Sequence, residues 1–226
     1  MNYNLLVKYV LFRGMTEQEA KDVLVCLQAE TKKYQKGRTI YHMGDSIGAM
    51  GVVLSGSVNI ENDDIWGNKN ILDNIGPGQV FGETYACLPR EPLMVNVIAA
   101  ETTEVLFLDV SRLLTICPNV CGAHHRLVQN LLWVTTQKNL TLSRKIFHTT
   151  PKSIRGRLLS YLSTQAVRAG SGHFIVPFNR QQMADYLCVD RSAMSNELSK
   201  MKQEGLLDFH KNEFWIKEAG RFSESY

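Results

Sequence analysis

Hydrophobic and polar positions change their spacing twice along the first two thirds of the 226-residue chain. The first stretch has a helical period. Ala20, Val23, Leu24 and Leu27 recur three and four apart, and Thr16-Glu17-Gln18-Glu19 ahead of them has the form of a capping box, in which Thr16 accepts from the amide of Glu19 and Glu19 reaches back. From about Tyr34 to Leu108 the apolar runs shorten and glycine interrupts them, as in "GVVLSGSVNI" and "NILDNIGPGQVFGE". Short runs rich in Val and Ile, broken about every 8–12 residues, predict an all-β barrel or sandwich. After Asp109 the helical period returns. "SRLLTIC" makes a short helix that stops near Pro118, and residues from about 119 to 147, with no proline and Gly122 as their one glycine, make a single long helix. At roughly 1.5 Å per residue that helix is about 40 Å long.

The long helix is apolar on more than one face. Leu127, Leu131 and Val134 follow a 4–3 spacing; so do Val128, Leu132 and Thr135, with Trp133 and Leu140 besides. Such a helix needs cover on several sides. One side covers the β-barrel. The seam Leu127, Leu131 and Val134 is expected to meet a second copy of the chain in a homodimer, with burial inside a monomer as the alternative. Thr150-Pro151 then reads as an N-cap followed by Pro at the first helical position. A first domain over residues 1–148 and a second over 149–226 follow from that break.

In the second domain Asn179 caps a helix carrying Met183, Ala184 and Leu187, Cys188-Val189 makes a tight turn, and Asp190 caps another helix with Met194, Leu198 and Met201 inward. Gly205 ends it, and "LLDFH-KN-EFWI" reads as a hairpin with a two-residue turn. Two short capped helices, a tight turn and a hairpin make a winged helix-turn-helix. The outward residues of its second helix are Arg191, Ser192, Ser195, Asn196 and Lys200, donors and acceptors suited to base edges and phosphates. The overall fold class is therefore α+β.

Composition narrows the class further. Hydrophobic residues make up 44% and charged residues 21%, values of a globular protein, and no apolar run is long enough to span a bilayer. The start has no signal-peptide pattern, so the expected location is the cytoplasm and no membrane partner is expected. Net charge is only +3, but from Pro151 to Met201 Lys152, Arg155, Arg157, Arg168, Arg180, Arg191 and Lys200 outnumber Asp185, Asp190 and Glu197, which favours a nucleic-acid partner. His42, Asp45 and Glu83 fall in the barrel region, yet no pair stands at a spacing that demands acid–base or nucleophilic chemistry, so no enzyme and no cofactor are expected. Five cysteines do not suggest a disulfide framework.

In this order, a glycine-punctuated β-roll, a long helix and a winged helix-turn-helix resemble the Crp/Fnr family of bacterial transcription regulators. "GVVLSGSVNI", "GPGQVFGE" and "RSAMSNELSKMKQEGLL" carry the resemblance, which covers roughly Leu11 to Ile216. It implies a jelly-roll-like, cyclic-nucleotide-binding-type sensor domain, a dimerisation helix, a homodimer, a near-palindromic double-stranded DNA site, and RNA polymerase as a further partner. Arg191, Ser192, Ser195 and Asn196 match positions from which family members read bases, and Asn179 and Arg180 match positions near backbone phosphates.

The chain departs from the family where the family binds cyclic nucleotides. There a Gly-Glu pair is followed, ten residues after the Glu, by Arg-Ser, which take the cyclic phosphate. Here Gly82-Glu83 is present, but Leu93-Met94 stand in place of Arg-Ser, and Asn139 and Leu140 stand near where the long helix offers hydroxyls to the base. An effector pocket formed by Gly82, Glu83, Leu93, Met94 and Asn139 would suit an apolar or aromatic molecule rather than cyclic AMP; Leu93 and Met94 filling the roll's core is the alternative. Iron–sulfur relatives cluster cysteines near the N-terminus, where this chain has only Cys26. Cys117 and Cys121, with His124 on the same helix face, leave open a redox- or metal-responsive regulator, although Pro118 interrupts that face and no fourth ligand is evident.

Overall fold

A computed structural model describes residues 1–63, 69–88, 90–115 and 122–216. The chain divides into two compact units, Met1–Gln137 and Lys138–Tyr226.

The first unit opens with the short helix α1 (Tyr3–Leu6), a 3-10 turn at Val10–Phe12 and α2 (Glu17–Cys26). The expected capping box forms: Thr16 Oγ1 accepts from the Glu19 amide at 3.2 Å, and the Glu19 carboxylate accepts from the Thr16 amide at 2.8 Å. Eight strands follow in sequence, with one short helix among them: β1 (Glu30–Tyr34), β2 (Thr39–Tyr41), β3 (Ala49–Ser55), β4 (Val58–Asp63), β5 (Lys69–Ile75), β6 (Val80–Phe81), α3 (Glu83–Cys87), β7 (Asn96–Ala99) and β8 (Thr103–Asp109). They make two antiparallel sheets, ordered β1-β8-β3-β6 and β2-β7-β4-β5. Val53, Phe81 and Val105 of the first sheet share a core with Val58, Ile75 and Val97 of the second. Met50, Val52, Leu106 and Leu108 point the other way and pack against Leu11, Phe12, Leu24 and Leu127. The first sheet is therefore covered on both faces, which is why Met50-Gly51-Val52-Val53 is a continuous buried run rather than an alternating one. Gly51 is required there: a Cβ on it would lie 2.2 Å from Cζ of Phe81.

After α4 (Val110–Leu114) the long helix α5 spans Gly122–Thr149. Its first half belongs to the first unit. Asn130 Nδ2 donates to the carbonyls of Leu11 and Arg13, both at 2.9 Å, and Arg126 donates to Gly14 O. By contacts the division between the units falls inside α5, and the Thr150-Pro151 break stands just past the end of that helix. Thr150 is not a cap. Its hydroxyl donates back to Ile146 O at 2.7 Å and closes α5, and α6 (Ile154–Ala169) begins under Ser153, whose Oγ accepts from the Gly156 amide at 3.0 Å.

The second unit continues with β9 (His173–Ile175), α7 (Arg180–Leu187), α8 (Arg191–Gln203), β10 (Leu207–His210) and β11 (Glu213–Ile216). The last three strands form an antiparallel sheet ordered β10-β11-β9. The predicted two-residue turn at Lys211-Asn212 is present, with Lys211 left-handed at φ 54°. Leu158, Leu162, Met183, Leu187, Leu198 and Phe214 centre the core. Among the described residues no helix is long and apolar enough to cross a membrane.

Candidate nucleic-acid interface and effector pocket

The helix-turn-helix is fixed by its caps. Asn179 Oδ1 accepts from the Gln182 amide and Gln182 Oε1 accepts from the Asn179 amide, both at 2.9 Å. Asp190 Oδ1 accepts from the Ala193 amide at 2.7 Å. Caps of this kind are each worth about 1 kcal/mol. Between them Cys188 adopts a left-handed conformation at φ 53°. Arg157 of α6 holds that corner: its Nη1 donates to Leu187 O at 3.0 Å and Cys188 O at 2.8 Å, so carbonyls left over at the end of α7 find a cation.

The second helix of the motif, α8, buries Met194, Leu198 and Met201 and leaves Arg191, Ser192, Asn196 and Lys200 exposed. Ser195 is half-buried and its hydroxyl donates to Arg191 O at 2.9 Å. Two glutamates, Glu197 of α8 and Glu204 at its end, are turned to one structural partner. Arg155 of α6 reaches Glu197 at 2.5 Å and grips Glu204 through two bonds of 2.8 and 2.7 Å, which holds the Glu204 carboxyl below its usual range. Lys202 pairs with Asp208. The outer face of α8 is left cationic and hydrogen-bonding.

Sequence reasoning places Asn179 and Arg180 beside phosphates. The structure gives both side chains work inside the protein. Asn179 is the cap of α7. The Arg180 guanidinium carbon lies 4.7 Å from the Phe209 ring centre and 5.2 Å from that of Phe214, with Nη1 buried and unpartnered among the described residues. Burial pulls its pKa below the usual arginine value. Arg180 thus ties α7 to the β10–β11 hairpin instead of standing free for a phosphate, a correction that no spacing rule signals.

In the first unit Gly82 sits at φ 73° as the N-cap of α3, and Glu83 behind it is 4% exposed. Leu93 is 2% exposed and joins the core beside Ile47, whereas Met94 is 72% exposed. Met94 does not line a pocket with Leu93. Leu93 pairs by backbone with Gly44 and Asp45, at 2.8 and 2.9 Å, and its side chain is held in the core while that of Met94 stays exposed. Cys87 is a neighbour that the sequence did not single out: burial and the Glu83 charge push its thiol pKa up. The roll's interior is filled by Tyr34, Tyr41, Phe81 and Phe107, whose rings meet edge-on with centroids 5.9 to 6.5 Å apart. A cleft of about 400 Å³ opens over Tyr41 and Phe107, with Glu30, Lys32 and Arg112 at its mouth. Asn139 lies on an exposed face of α5 in the second unit.

The seam assigned to a partner is also corrected. Leu127 and Leu131 are buried in the first unit's own core and Val134 packs against it. The apolar residues that α5 exposes are Leu132, Trp133, Leu140, Leu142, Ile146 and Phe147. Cys117 and Cys121 lie outside the described residues. His124 is buried; its Nε2 donates to Leu113 O at 2.6 Å and its Nδ1 has no partner among the described residues. Among those residues no group of His, Cys, Asp and Glu stands close enough to hold a metal ion.

Comparison with known proteins bears on both units. The family model described as a cyclic nucleotide-binding domain matches residues 31–119, and that of the Crp-like helix-turn-helix domain matches residues 156–223. The chain is 25% identical over 214 residues to the cyclic AMP receptor protein of Thermus thermophilus, across 95% of each chain. It is 23% identical over 210 residues to the transcriptional activator protein FnrA of Stutzerimonas stutzeri, across 91% of this chain and 83% of that one. Its fold is similar to that of the c-di-GMP-responsive global regulator CLP of Xanthomonas campestris, with a TM-score of 0.53 at 17% identity over 89% of this chain and 99% of that one.

Proposed function

The chain belongs to the Crp/Fnr family of DNA-binding transcription regulators, and from that premise we propose that it acts as a homodimer on a near-palindromic DNA site, under an effector other than cyclic AMP. Arg191 and Asn196 read bases in the major groove, arginine being suited to guanine and asparagine to adenine. Ser192 and Lys200 flank them, and the capped start of α7 at Asn179 faces a phosphate with its free amides. Two copies join through the exposed stripe of α5 that includes Trp133, Leu140 and Phe147.

One observation carries the effector reading. Leu93, where the cyclic-nucleotide pattern calls for a guanidinium, is an apolar side chain packed in the core. A cyclic phosphate brought there loses its hydration and gains no counter-charge, and an unpaired buried charge is strongly disfavoured. Glu83 adds a second negative charge nearby. An apolar or aromatic effector meets neither penalty, and contact with the Tyr41 and Phe107 rings that line the roll's cleft favours it by about 25 cal/mol per Å² buried.

Titration calorimetry tests this directly. Cyclic AMP and cyclic GMP give no heat up to about millimolar concentration, a limit near −4 kcal/mol. Micromolar binding of either nucleotide overturns the reading and points to the exposed Arg90 as the phosphate ligand. For the DNA half, gel-shift affinity falls steeply with salt, as phosphate neutralisation demands.

A further inference from the structure

The last turns of α5 and the facing turns of α6, all within the second unit, form a groove of about 960 Å³. Its α5 wall is a row three and four apart, Ser143, Ile146, Phe147 and Thr150. The α6 wall repeats that spacing with Ser160, Ser163, Thr164 and Val167. Pro151 stands at the foot, where the chain turns from α5 to α6, and Arg168, about two turns beyond Ser160, stands at the head. We propose that this groove binds a single-chain fatty acid, its tail along Ile146, Phe147 and Val167 and its carboxylate on Arg168. The site is complete within one chain and separate from the roll, so it needs neither the dimer nor the effector reading above.

Three observations point to that occupant. First, the walls are apolar despite their serines and threonines. Thr150 Oγ1 donates to Ile146 O at 2.7 Å, Thr164 Oγ1 donates to Ser160 O at 3.0 Å, and Ser160 Oγ lies 3.1 Å from His148 Nδ1. Hydroxyls engaged in this way leave methyl and methylene groups to face the groove. Ile146 and Phe147 are 64% and 66% exposed and Val167 is half exposed, so an acyl chain has apolar surface to cover. Second, the charge is of one sign. Neither α5 nor α6 holds an Asp or Glu. Arg168 lines the groove and Arg144 borders its α5 wall, and neither is in an ion pair among the described residues. Both charges reach His148 in the last turn of α5. An anionic head there meets guanidinium donors with no competing carboxylate, whereas a cationic head is repelled. Third, the groove is polarised along its length. Each wall runs about 10 Å, apolar at the Pro151 foot and cationic at the Arg168 head, which matches a molecule with one tail and one charged end.

Titration calorimetry of the full-length protein with laurate, below its micelle concentration, tests the site, with 1-dodecanol and dodecyltrimethylammonium as probes of the same tail. Laurate is expected to bind at micromolar concentration, dodecanol at least tenfold more weakly and the cation not at all. From octanoate to decanoate the affinity is expected to rise about fourfold per added methylene. Val167→Asp, which sets a carboxylate in the groove, is expected to weaken laurate at least tenfold. Arg168→Gln is expected to weaken laurate at least fivefold and to leave dodecanol unchanged. Both positions are at least half exposed, so both variants keep the melting temperature of the second unit. Equal affinity for laurate and the cation overturns the proposal, as does laurate binding that neither variant touches, which places the acid elsewhere. No laurate binding at all, as when a second copy covers the groove, overturns it too. A chain that pellets with phosphatidylglycerol vesicles but takes up no free laurate makes the groove a membrane contact and likewise overturns it.

Discussion

The functions proposed for the outer face of α8 and for the region around Leu93 would be carried in opposite ways. On α8 the side chains assigned to DNA point into solvent, and the helical period fixes which they are. Once Met194, Leu198 and Met201 are given to the core, Arg191, Ser192, Asn196 and Lys200 have to face out. In the roll the working side chains point inward, where the same Leu either lines a pocket or fills a core. Spacing does not separate those outcomes; neighbours from β2, β6 and the Gly44-Asp45 turn do. A surface site is thus readable from one element, and an interior site only from several at once.

The largest effect expected from breaking this contrast is on stability. The two units have separate cores, so Leu198→Ala is expected to cost the second unit about 2–5 kcal/mol and the first unit nothing. Hydrogen exchange on the intact chain checks it, since amides of α7 and α8 lose protection while those of β3 and β8 keep theirs. Equal loss in both units would show that the cores are thermodynamically one.

Next in size is the recognition face. Arg191→Ala is expected to weaken specific DNA binding by about 1–3 kcal/mol and binding to random DNA much less. Lys200→Ala is expected to weaken both alike and to flatten the salt slope by about one unit. If Arg191→Ala loses equally on random DNA, Arg191 holds a phosphate and reads nothing.

The same contrast explains what the sequence disclosed and what it hid. The capping box at Thr16, the Asn179 and Asp190 caps, the Lys211-Asn212 turn and the barrel's broken rhythm all rest on residues within a few positions of each other, and all are found. On α5 two apolar seams share the same helical spacing. Which one faces the roll is decided by Leu11, Arg13 and Gly14, more than a hundred residues away, whose carbonyls take Asn130 and Arg126. The seam Leu127, Leu131 and Val134 was therefore legible as apolar and not as internal. Arg180 is a like case: its aromatic partners Phe209 and Phe214 lie in a different element. Met94 is a further case: its neighbour Leu93 is tied to the Gly44-Asp45 turn in a distant part of the chain, and Met94 is left exposed.

A smaller effect sharpens the interior half of the comparison. Gly82 is left-handed, and a Cβ on it would stand 3.1 Å from Ile47 Cδ1. Gly82→Ala is expected to cost about 1–2 kcal/mol, the penalty of that conformation for a residue with a side chain, seen in chemical denaturation of the first unit. A neutral result would mean that the turn before Glu83 relaxes freely, and that the pocket is not held in a fixed shape.

The smallest effect concerns His148, an interior residue of the second unit that neither comparison singles out. It is buried at the end of α5, its Nδ1 lies 3.1 Å from Ser160 Oγ, and its ring packs edge-on against Phe147 and Tyr161 and obliquely against Tyr186. Burial lowers its pKa below the ordinary histidine value, and the charges of Arg168 and Arg144 lower it further. Above about pH 6.5 the ring is neutral in both folded and unfolded chains, and the site adds no pH dependence. Below that, the unfolded chain binds a proton that the folded one refuses, so stability falls as pH falls until the folded pKa is reached, and then levels off. One such group contributes a slope of at most about 1.4 kcal/mol per pH unit. His148→Gln keeps a hydrogen-bonding group beside Ser160 and removes the titration. Melts of the variant between pH 7.5 and about 5 are expected to show a flatter loss of stability in the second unit than the parent chain shows. An identical slope in the two proteins would mean that His148 charges as readily in the folded state as in the unfolded one, and that its aromatic surroundings leave room for water.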